Sequence, residues 1–328
     1  PAAYAPDYRG HVYYILQNQV LATTGCHEFD CDHGDSSAFG APCGFDCCFA
    51  NNHMGWAKFI GAMWMADADG DLAVAAYGPS VVEYRLPDGD VVSFEERTDY
   101  PFDDRIIFLY HGKSAELSLR LPIPSWCKKA SISVCGETAD VGFSGGFYTL
   151  KRRFNDNDVV SLTLPMTIEL SDWYNNSVAV TRGPLIYSLK IGEDWRRYTD
   201  NGTRELKVGD FGKAIRREVY PTSRWNYGLI ADKLLMTVEQ RPVTEQPFAV
   251  SSAPVIIHAV GQMIPEWKLD GNHAANQPYG GVVREKGAET EIELIPYGAA
   301  RLKITHFPRV CDGSMNLIHN DFTEQLRG

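Results

Sequence analysis

The sequence predicts a mostly β protein in which two β-sandwich domains follow a short helical segment. From residue 72 onward, strand-like runs alternate with turns at regular spacing. Apolar side chains recur at every second position in runs such as 117–121 and 160–164, which indicates strands with one buried face. Ahead of these strands, residues 51–66 carry apolar side chains with the 3.6-residue period of an amphipathic helix.

The predicted helix follows a pair of adjacent cysteines, Cys47 and Cys48. Its apolar stripe comprises Trp56, Phe59, Ile60, Met63 and Trp64. Asn51 or Asn52 can cap its start, which places the cysteines at the turn that leads into the helix. Free N–H groups and the helix dipole at such a turn favour thiolate over thiol. The acidic run at 67–71 reads as a plain turn that ends the helix rather than as a calcium loop, because its glycine comes too early and residue 78 is not a glutamate.

Two groups of strand-like runs follow. The first group lies at 73–77, 81–86, 91–95, 105–110, 116–121, 131–134, 147–150 and 159–164, with a hairpin turn predicted at Pro87-Asp88-Gly89-Asp90. A run at 183–189 precedes a polar passage at 193–213, a candidate boundary. The second group lies at 234–238, 255–259, 291–295 and 302–305, with a long loop predicted at 268–281. Trp225, Trp267 and Tyr297 could stack on a sugar, although core packing is the favoured role for each of them.

Composition excludes several classes of partner. A chain of 328 residues with 44% hydrophobic and 12% aromatic residues is long and apolar enough for more than one globular domain. The net charge of -11 argues against nucleic acid and anionic membrane surfaces as partners. We find no apolar segment long enough to span a bilayer and no signal-peptide pattern at the first residues. The compartment stays open between cytoplasm, periplasm and the exterior.

The cysteine-rich window at residues 26–53 is the best candidate for chemistry. Five of the eight cysteines lie in it: Cys26, Cys31, Cys43, Cys47 and Cys48. Adjacent cysteines are poor disulfide partners, so the pair favours metal ligation or thiolate chemistry; two buried, inert cysteines are the plainer alternative. The spacing is not that of a zinc finger or ribbon, so a metal here needs ligands from elsewhere in the fold.

Several segments carry a resemblance to a known family. They are CCFANNHMGWAKF at 47–59, WMA at 64–66, DGDLA at 69–73, PIPSW at 122–126, RGPL at 182–185 and LIPYG at 294–298. Together they resemble glycoside hydrolase family 127, the β-L-arabinofuranosidase group, over most of the chain. The resemblance implies the last helices of an (α/α)6 barrel at 1–71, a β-sandwich at 72–190 and a second sandwich at 191–328, whose last strands can return to the first.

The resemblance also implies a mechanism and a cofactor. Such enzymes hydrolyse terminal sugars such as β-L-arabinofuranosides with retention, through a zinc-bound cysteine nucleophile. Carried over, Cys47 is the nucleophile and a zinc ligand, and Cys48 is a second zinc ligand. His27, His33 and His53 are candidates for binding sugar hydroxyls, with a structural role as the alternative for each. The expected partner is an oligosaccharide or glycan substrate.

The family's upstream barrel region, with its Glu-x-Cys zinc ligands and its acid/base glutamate, has no counterpart in these residues. A longer enzyme, a separate chain that supplies the barrel, or a protein that has lost activity would each account for this. Glu28 with Cys26 and Cys31 is a weaker local substitute for the missing ligands. The rival function is a non-catalytic carbohydrate-binding or scaffolding module. A redox role for the cysteine pair is disfavoured because C-x-x-C is lacking.

Overall fold

A computed structural model describes residues 4–5, 39, 46–67, 70–142, 144–198, 216–271 and 273–312; for residues 46–50, 52, 53, 198 and 216 it describes the backbone alone. Within these ranges the chain is mostly β, as predicted, with a single α-helix, α1 (Asp46–Gly61). The strands are β1 (Trp64–Ala66), β2 (Leu72–Val74), β3 (Ser80–Arg85), β4 (Val91–Thr98), β5 (Arg105–His111), β6 (Ala115–Ile123), β7 (Ser131–Val134), β8 (Glu137–Asp140), β9 (Gly146–Phe154), β10 (Val159–Thr163), β11 (Ile168–Trp173), β12 (Ser177–Arg182), β13 (Leu185–Leu189), β14 (Glu193–Tyr198), β15 (Arg216–Pro221), β16 (Tyr227–Ile230), β17 (Thr237–Gln240), β18 (Val255–Met263), β19 (Leu269–Asp270), β20 (His273–Ala274), β21 (Val282–Val283), β22 (Glu289–Pro296) and β23 (Phe307–Cys311).

Helix α1 begins earlier and ends earlier than the apolar stripe predicts. It starts at Asp46, so the adjacent cysteines belong to its first turn rather than to the turn before it. The prediction that the helix continues to residue 66 is wrong, because Trp64 starts strand β1. The Trp64 ring stacks on Phe94 with ring centroids 6.2 Å apart. Packing into the sandwich core therefore overrides the local helical periodicity at this end.

The chain divides into two compact units. The continuous unit, Asn52–Thr167, is a β-sandwich of two sheets, with strand orders β1-β2-β6-β9 and β3-β4-β5-β10-β7-β8. Side chains from both sheets share one buried cluster, which includes Phe94, Phe108, Leu119 and Leu121. Burial alternates along the predicted run 160–164, whereas in the run 117–121 Ser118 is buried as well. The first sandwich is thus built from the alternating runs.

The hairpin predicted at residues 87–90 joins β3 to β4. Arg85 pairs with Val91 in antiparallel register, and the Leu86 N–H donates to the Asp90 carbonyl oxygen at 2.8 Å. Gly89 has φ 95°, a left-handed conformation that glycine adopts without a steric penalty. The hairpin turn predicted at residues 87–90 is therefore confirmed.

The discontinuous unit comprises residues 1–51 and 168–328. Its main sheet has nine strands in the order β11-β12-β13-β22-β18-β16-β23-β21, with β17 paired to β18. Strand β12 pairs with β13 through Thr181 and Arg182 and with β23 through Ser177 and Val178. The second pairing closes β12, β13, β22, β18, β16 and β23 into a ring. The second sandwich region is therefore a sheet that curls back onto itself.

The limits of these units differ from the domain limits predicted at residues 71 and 190. Strands β11, β12 and β13 continue directly from the first sandwich in sequence, but β13 pairs with β22 and β12 pairs with β23. These long-range pairings assign residues 168–189 to the discontinuous unit. Local strand signals cannot reveal which distant strand a segment will pair with.

Two of the predicted strands in the last third are corrected. The run at 302–305 is not a strand, because the Ile304 N–H donates to the Ser188 hydroxyl at 3.1 Å instead of to a ladder partner. Strand β23 begins after it. The run at 234–238 opens with a single 3-10 turn at Lys233–Leu235, and β17 begins at Thr237. The loop predicted at 268–281 contains only the short strands β19 and β20.

Isolated N-terminal residues pack within the discontinuous unit. Phe39 is fully buried and exchanges two backbone hydrogen bonds with Arg217, both 2.9 Å long. Ala5 is also buried. Distant parts of the sequence therefore contact one another in this unit. Within the part of the chain that the structure describes, α1 is the single α-helix, and no helix is long and apolar enough to cross a bilayer.

Candidate active site

The two cysteines predicted to carry the chemistry lie in the first turn of α1. Cys47 and Cys48 are the second and third residues of this 16-residue helix. The first backbone N–H groups of a helix have no partner inside the helix and carry its positive dipole end. Thiols at such positions ionise more readily than free cysteine. The described backbone therefore places Cys47 and Cys48 at the end of α1 where such N–H groups lie.

The other predicted site residues are only partly placed. His53 is also on α1, six residues after Cys47, which corresponds to about 9 Å along the helix axis. His27 and His33 lie outside the described residues, as do Cys26, Glu28 and Cys31. The structure thus brings Cys47, Cys48 and His53 onto one helix and leaves the remaining candidates untested.

One face of α1 is apolar and exposed. Trp56 and Phe59 meet edge to face with ring centroids 6.4 Å apart, and Ile60 is 65% exposed. Met54 is also exposed. An apolar helix face of this size normally packs against protein. Within the predicted stripe, Trp56, Phe59 and Ile60 are therefore exposed, whereas Met63 is buried and Trp64 is half-buried.

A buried carboxyl group anchors the segment that follows α1. The Trp64 indole N–H donates to the Ser80 hydroxyl oxygen at 2.9 Å. The Ser80 oxygen lies 3.3 Å from Glu96 Oε2, and the Gly78 N–H donates to Glu96 Oε1 at 2.9 Å. Glu96 is 2% exposed, and burial raises its pKa to about 7 even though these hydrogen bonds oppose the shift. Glu96 is not among the residues predicted from the sequence, although it follows Val92 and Phe94 on the inward-facing positions of β4.

A second buried charged group lies in the discontinuous unit and consists of Glu193, Arg301 and Lys303. The Arg301 N–H donates to Glu193 Oε1 at 3.2 Å, and Lys303 Nζ donates to the Arg301 carbonyl oxygen at 3.0 Å. Burial lowers the pKa of Lys303 to about 7. Burial also raises the pKa of Glu193, because it outweighs the attraction of Arg301. Arg301 additionally holds three backbone carbonyl groups, which makes this cluster a structural anchor.

The aromatic residues considered for sugar stacking are core residues. Trp225 and Trp267 are buried and pack edge to face with ring centroids 5.2 Å apart. The Trp267 indole N–H donates to the Ala275 carbonyl oxygen at 2.8 Å. Tyr297 lies beneath Lys303, with Nζ 5.7 Å from the ring centroid. Core packing, the favoured role, is confirmed for the two tryptophans.

The acidic run after α1 is a turn held by hydrogen bonds. The Gly70 N–H donates to the Asp67 carbonyl oxygen at 3.1 Å, and the Asp71 N–H donates to Asp67 Oδ1 at 2.9 Å. Arg120 pairs with both carboxylates. One arginine therefore balances part of their charge. The prediction that this run ends the helix is wrong, because α1 ends at Gly61 and β1 lies between them.

Zinc is the cofactor that the family resemblance implies. Thiolates are among its usual protein ligands, so the donor set at Cys47 and Cys48 fits this metal by type. Among the residues whose side chains are described, no group of three or more histidine, cysteine or acidic residues is arranged to hold a metal ion. A complete zinc site therefore needs ligands beyond the described side chains.

Comparison with known proteins connects the continuous unit to a family. Residues 71–166 match the family model of the beta-L-arabinofuranosidase GH127 middle domain. This match confirms the resemblance over the sandwich that follows the cysteine-bearing helix. No curated protein sequence matches the chain.

Solved structures share the fold. One described as a glycoside hydrolase has a TM-score of 0.57 and 20% identity, with 81% of this chain and 40% of that chain covered. A GH127 beta-L-arabinofuranosidase from Geobacillus stearothermophilus T6 has a TM-score of 0.53 and 21% identity, and the match covers 81% of this chain and 37% of that chain. A further GH127 beta-arabinofuranosidase has a TM-score of 0.53 and 17% identity, and the match covers 81% of this chain and 39% of that chain. The chain spans about two fifths of the length of these structures.

Proposed function

We propose, from the premise that residues 71–166 form the middle domain of a family 127 glycoside hydrolase, that this chain is the C-terminal portion of a retaining enzyme for terminal sugars such as β-L-arabinofuranosides. The observation that carries the proposal is the position of Cys47 in the first turn of α1, shortly before that domain in the sequence. A thiolate-favouring helix terminus there suits a nucleophile.

The proposed reaction has two steps. The Cys47 thiolate attacks the anomeric carbon, so a C–S bond forms while the C–O bond to the leaving group breaks, and a carboxylic acid protonates the departing oxygen. The resulting carboxylate then takes a proton from water, whose oxygen displaces the sulfur. Two displacements release the sugar with its original anomeric configuration.

Within this proposal the remaining residues bind metal and substrate. Cys47 and Cys48 would hold zinc together with ligands from outside the described residues, and zinc would keep the bound thiols deprotonated near neutral pH. His27, His33 and His53 are proposed to donate hydrogen bonds to sugar hydroxyls. We assign the acid/base carboxylic acid to the barrel region expected upstream.

The same proposal includes a partner for the exposed face of α1. We assign that face to the interior of an (α/α)6 barrel, supplied by preceding polypeptide or by a separate chain. Two findings support this: the apolar side chains of α1 are exposed, and the chain covers only about two fifths of each of the three structures described above.

The test uses the full-length protein and 4-nitrophenyl β-L-arabinofuranoside. We expect 4-nitrophenol release from the unaltered protein, stoichiometric zinc by mass spectrometry, and loss of release in Cys47→Ala with folding retained. Cys135→Ser is the matched control, because Cys135 is an exposed free thiol remote in sequence from α1. An electrophilic arabinofuranoside mimic should add to Cys47 and leave Cys135 unmodified.

Two results would overturn the assignment. Full turnover in Cys47→Ala would remove the cysteine mechanism. No turnover of the unaltered protein on aryl glycosides, combined with retained sugar binding, would favour the rival function of a non-catalytic carbohydrate-binding module.

A further inference from the structure

Strand β11 presents an exposed strip on one face of the discontinuous unit. It is the first strand in the order of the nine-stranded sheet, with β12 as its described neighbour. Glu169, Ser171 and Trp173 occupy alternate positions and are all exposed, so they share one face of the strand. From Glu169 to Trp173 the strand extends about 13 Å, a length that a short oligosaccharide can cover.

The Trp173 ring is exposed but held in place. Its indole N–H donates to the Ser171 hydroxyl oxygen at 2.8 Å. Its ring meets His306 edge to face, with centroids 5.1 Å apart. Even so, 53% of Trp173 remains exposed to solvent. A fixed, exposed indole loses little side-chain freedom when a ligand stacks on it.

The turn beyond Trp173 is also held by hydrogen bonds. The Tyr174 carbonyl oxygen accepts from the Gln277 side-chain amide at 2.8 Å and from the Ser177 hydroxyl at 2.7 Å. Asn175 has φ 55°, and its carbonyl oxygen accepts the Gly280 N–H at 2.7 Å. The Tyr174 side chain is exposed at this fixed turn. A second aromatic side chain therefore lies at the end of the strip.

The other end of the strip is polar. Glu169 pairs with Lys233, and both side chains are about half exposed. Their carboxylate and ammonium groups can accept from and donate to sugar hydroxyls. The strip thus combines an aromatic surface at one end with hydrogen-bonding groups at the other.

This combination fits a sugar chain better than a protein partner. The cores of protein interfaces are depleted of charged residues, whereas this strip carries Glu169 and Lys233 at the end opposite Trp173. Asp172 lies on the opposite face of the same strand and pairs with Arg309. Charged side chains along an edge strand hinder the addition of a further strand. A neutral ligand with apolar C–H faces and many hydroxyl groups matches both ends of the strip.

We propose that Glu169, Ser171, Trp173, Tyr174 and Lys233 form a glycan-binding strip that holds a polysaccharide chain by stacking on Trp173. The strip contributes no reacting group. It is a binding surface in addition to the proposed hydrolase site, and only the choice of arabinan as one probe rests on the proposed function.

The test is affinity gel electrophoresis of the full-length protein through gels cast with arabinan, with xylan, or without polysaccharide. We expect at least one polysaccharide to retard the unaltered protein, and Trp173→Ala to raise the apparent Kd about tenfold. Phe147→Ala is the matched control, because Phe147 is an equally exposed aromatic residue in the continuous unit. Trp173→Phe retains a ring and should recover part of the retardation.

Three other outcomes would overturn the proposal, and a fourth would separate it from the proposed function. No retardation by either polysaccharide would mean that something other than glycan, such as preceding polypeptide, covers the strip. Equal retardation of Trp173→Ala would place binding elsewhere. Loss of 4-nitrophenol release in Trp173→Ala would make the residue part of the hydrolase site. Binding without any release in the unaltered protein would contradict the proposed function while leaving the strip supported.

Discussion

The side-chain Nε of Arg301 donates to the carbonyl oxygen of Tyr4 at 2.6 Å and joins residues that are 297 positions apart. The same guanidinium donates to the carbonyl oxygens of Gly298 and Ala299. Arg301 is almost fully buried, and Glu193 is the carboxylate next to its backbone N–H. One side chain therefore fastens the N-terminal residues to the last third of the chain.

Replacing Arg301 with methionine should destabilise the protein strongly. The change leaves buried carbonyl oxygens without donors and Glu193 without its nearby cation, so we expect a loss of about 3 kcal/mol or more in the free energy of unfolding. Urea denaturation of the full-length protein measures this loss. Arg97→Met is the control, because Arg97 is an exposed partner of Glu95 and should leave the midpoint unchanged. Equal midpoints for both variants would contradict the anchoring role.

Glu96 should make stability fall as pH rises. Its pKa rises from 4.5 to about 7 on folding because of burial, so the native state holds a proton that the unfolded state has released. The contribution of Glu96 to the free energy of unfolding is fully present below pH 4.5. It is lost as the pH rises to about 7, by at most about 3 kcal/mol in total. Glu96→Gln should remove the decline and raise Tm relative to the unaltered protein at pH 8 but not at pH 4.5.

The control for Glu96 is its neighbour Glu95, an exposed carboxylate whose pKa is lowered chiefly by its hydrogen bond to Arg97. Glu95→Gln should not produce the gain in Tm at pH 8. If Glu96→Gln and the unaltered protein show the same pH dependence, the buried carboxyl group does not titrate as its surroundings indicate.

Lys303 should make stability rise with pH, which is the opposite of the effect expected for Glu96. Burial, with a smaller contribution from the nearby charge of Arg301, lowers its pKa from 10.5 to about 7, while Glu193 opposes the shift. The unfolded state therefore binds more protons between pH 7 and 10.5, and stability from this group rises over that range. Lys303→Met should be more stable than the unaltered protein at pH 6, with the difference shrinking towards pH 10. Thermal melts at pH 6 and pH 10 measure the difference in Tm between the two proteins. The same difference at both pH values would contradict the lowered pKa of Lys303.

Trp64 should be the main link between α1 and the sandwich core. Its ring contacts Phe94 and Phe108, and its indole N–H is bonded to Ser80. Trp64→Ala should cost about 3 kcal/mol, whereas Met65→Ala, at the next and exposed position, should cost under about 0.5 kcal/mol. Chemical denaturation compares the two. Similar costs would mean that the Trp64 contacts do not hold this segment.

Local patterns in the sequence predicted the features that depend on neighbouring residues. The hairpin at Gly89, the alternation at residues 160–164 and the adjacent cysteines are all visible within a few positions. Trp64 was misassigned because its partners, Phe94 and Phe108, lie far along the chain. Glu96 is not predicted because alternation indicates only that its position is buried. It does not indicate that the Gly78 N–H can hydrogen-bond to a carboxyl group at that position.

The strip on β11 illustrates the same limit. Ile168 and Leu170 alternate with Glu169 and Ser171, so the strand signal was present, but a tryptophan in a sequence does not disclose whether it is buried. Trp267 is 2% exposed and Trp173 is 53% exposed. Their difference depends on tertiary contacts, such as the packing of Trp267 against Trp225.

The division of the discontinuous unit has a consequence for how the protein is made. The whole of Asn52–Thr167 lies between its two parts, and at about 5–20 residues per second a ribosome takes roughly 6–25 s to synthesise that insert. During that interval the insert can fold, while Phe39 still lacks Arg217 and Tyr4 still lacks Arg301. The contacts of Tyr4 and Phe39 therefore form only after the insert and the strands that follow it have been synthesised, so assembly of the discontinuous unit is delayed relative to folding of the insert.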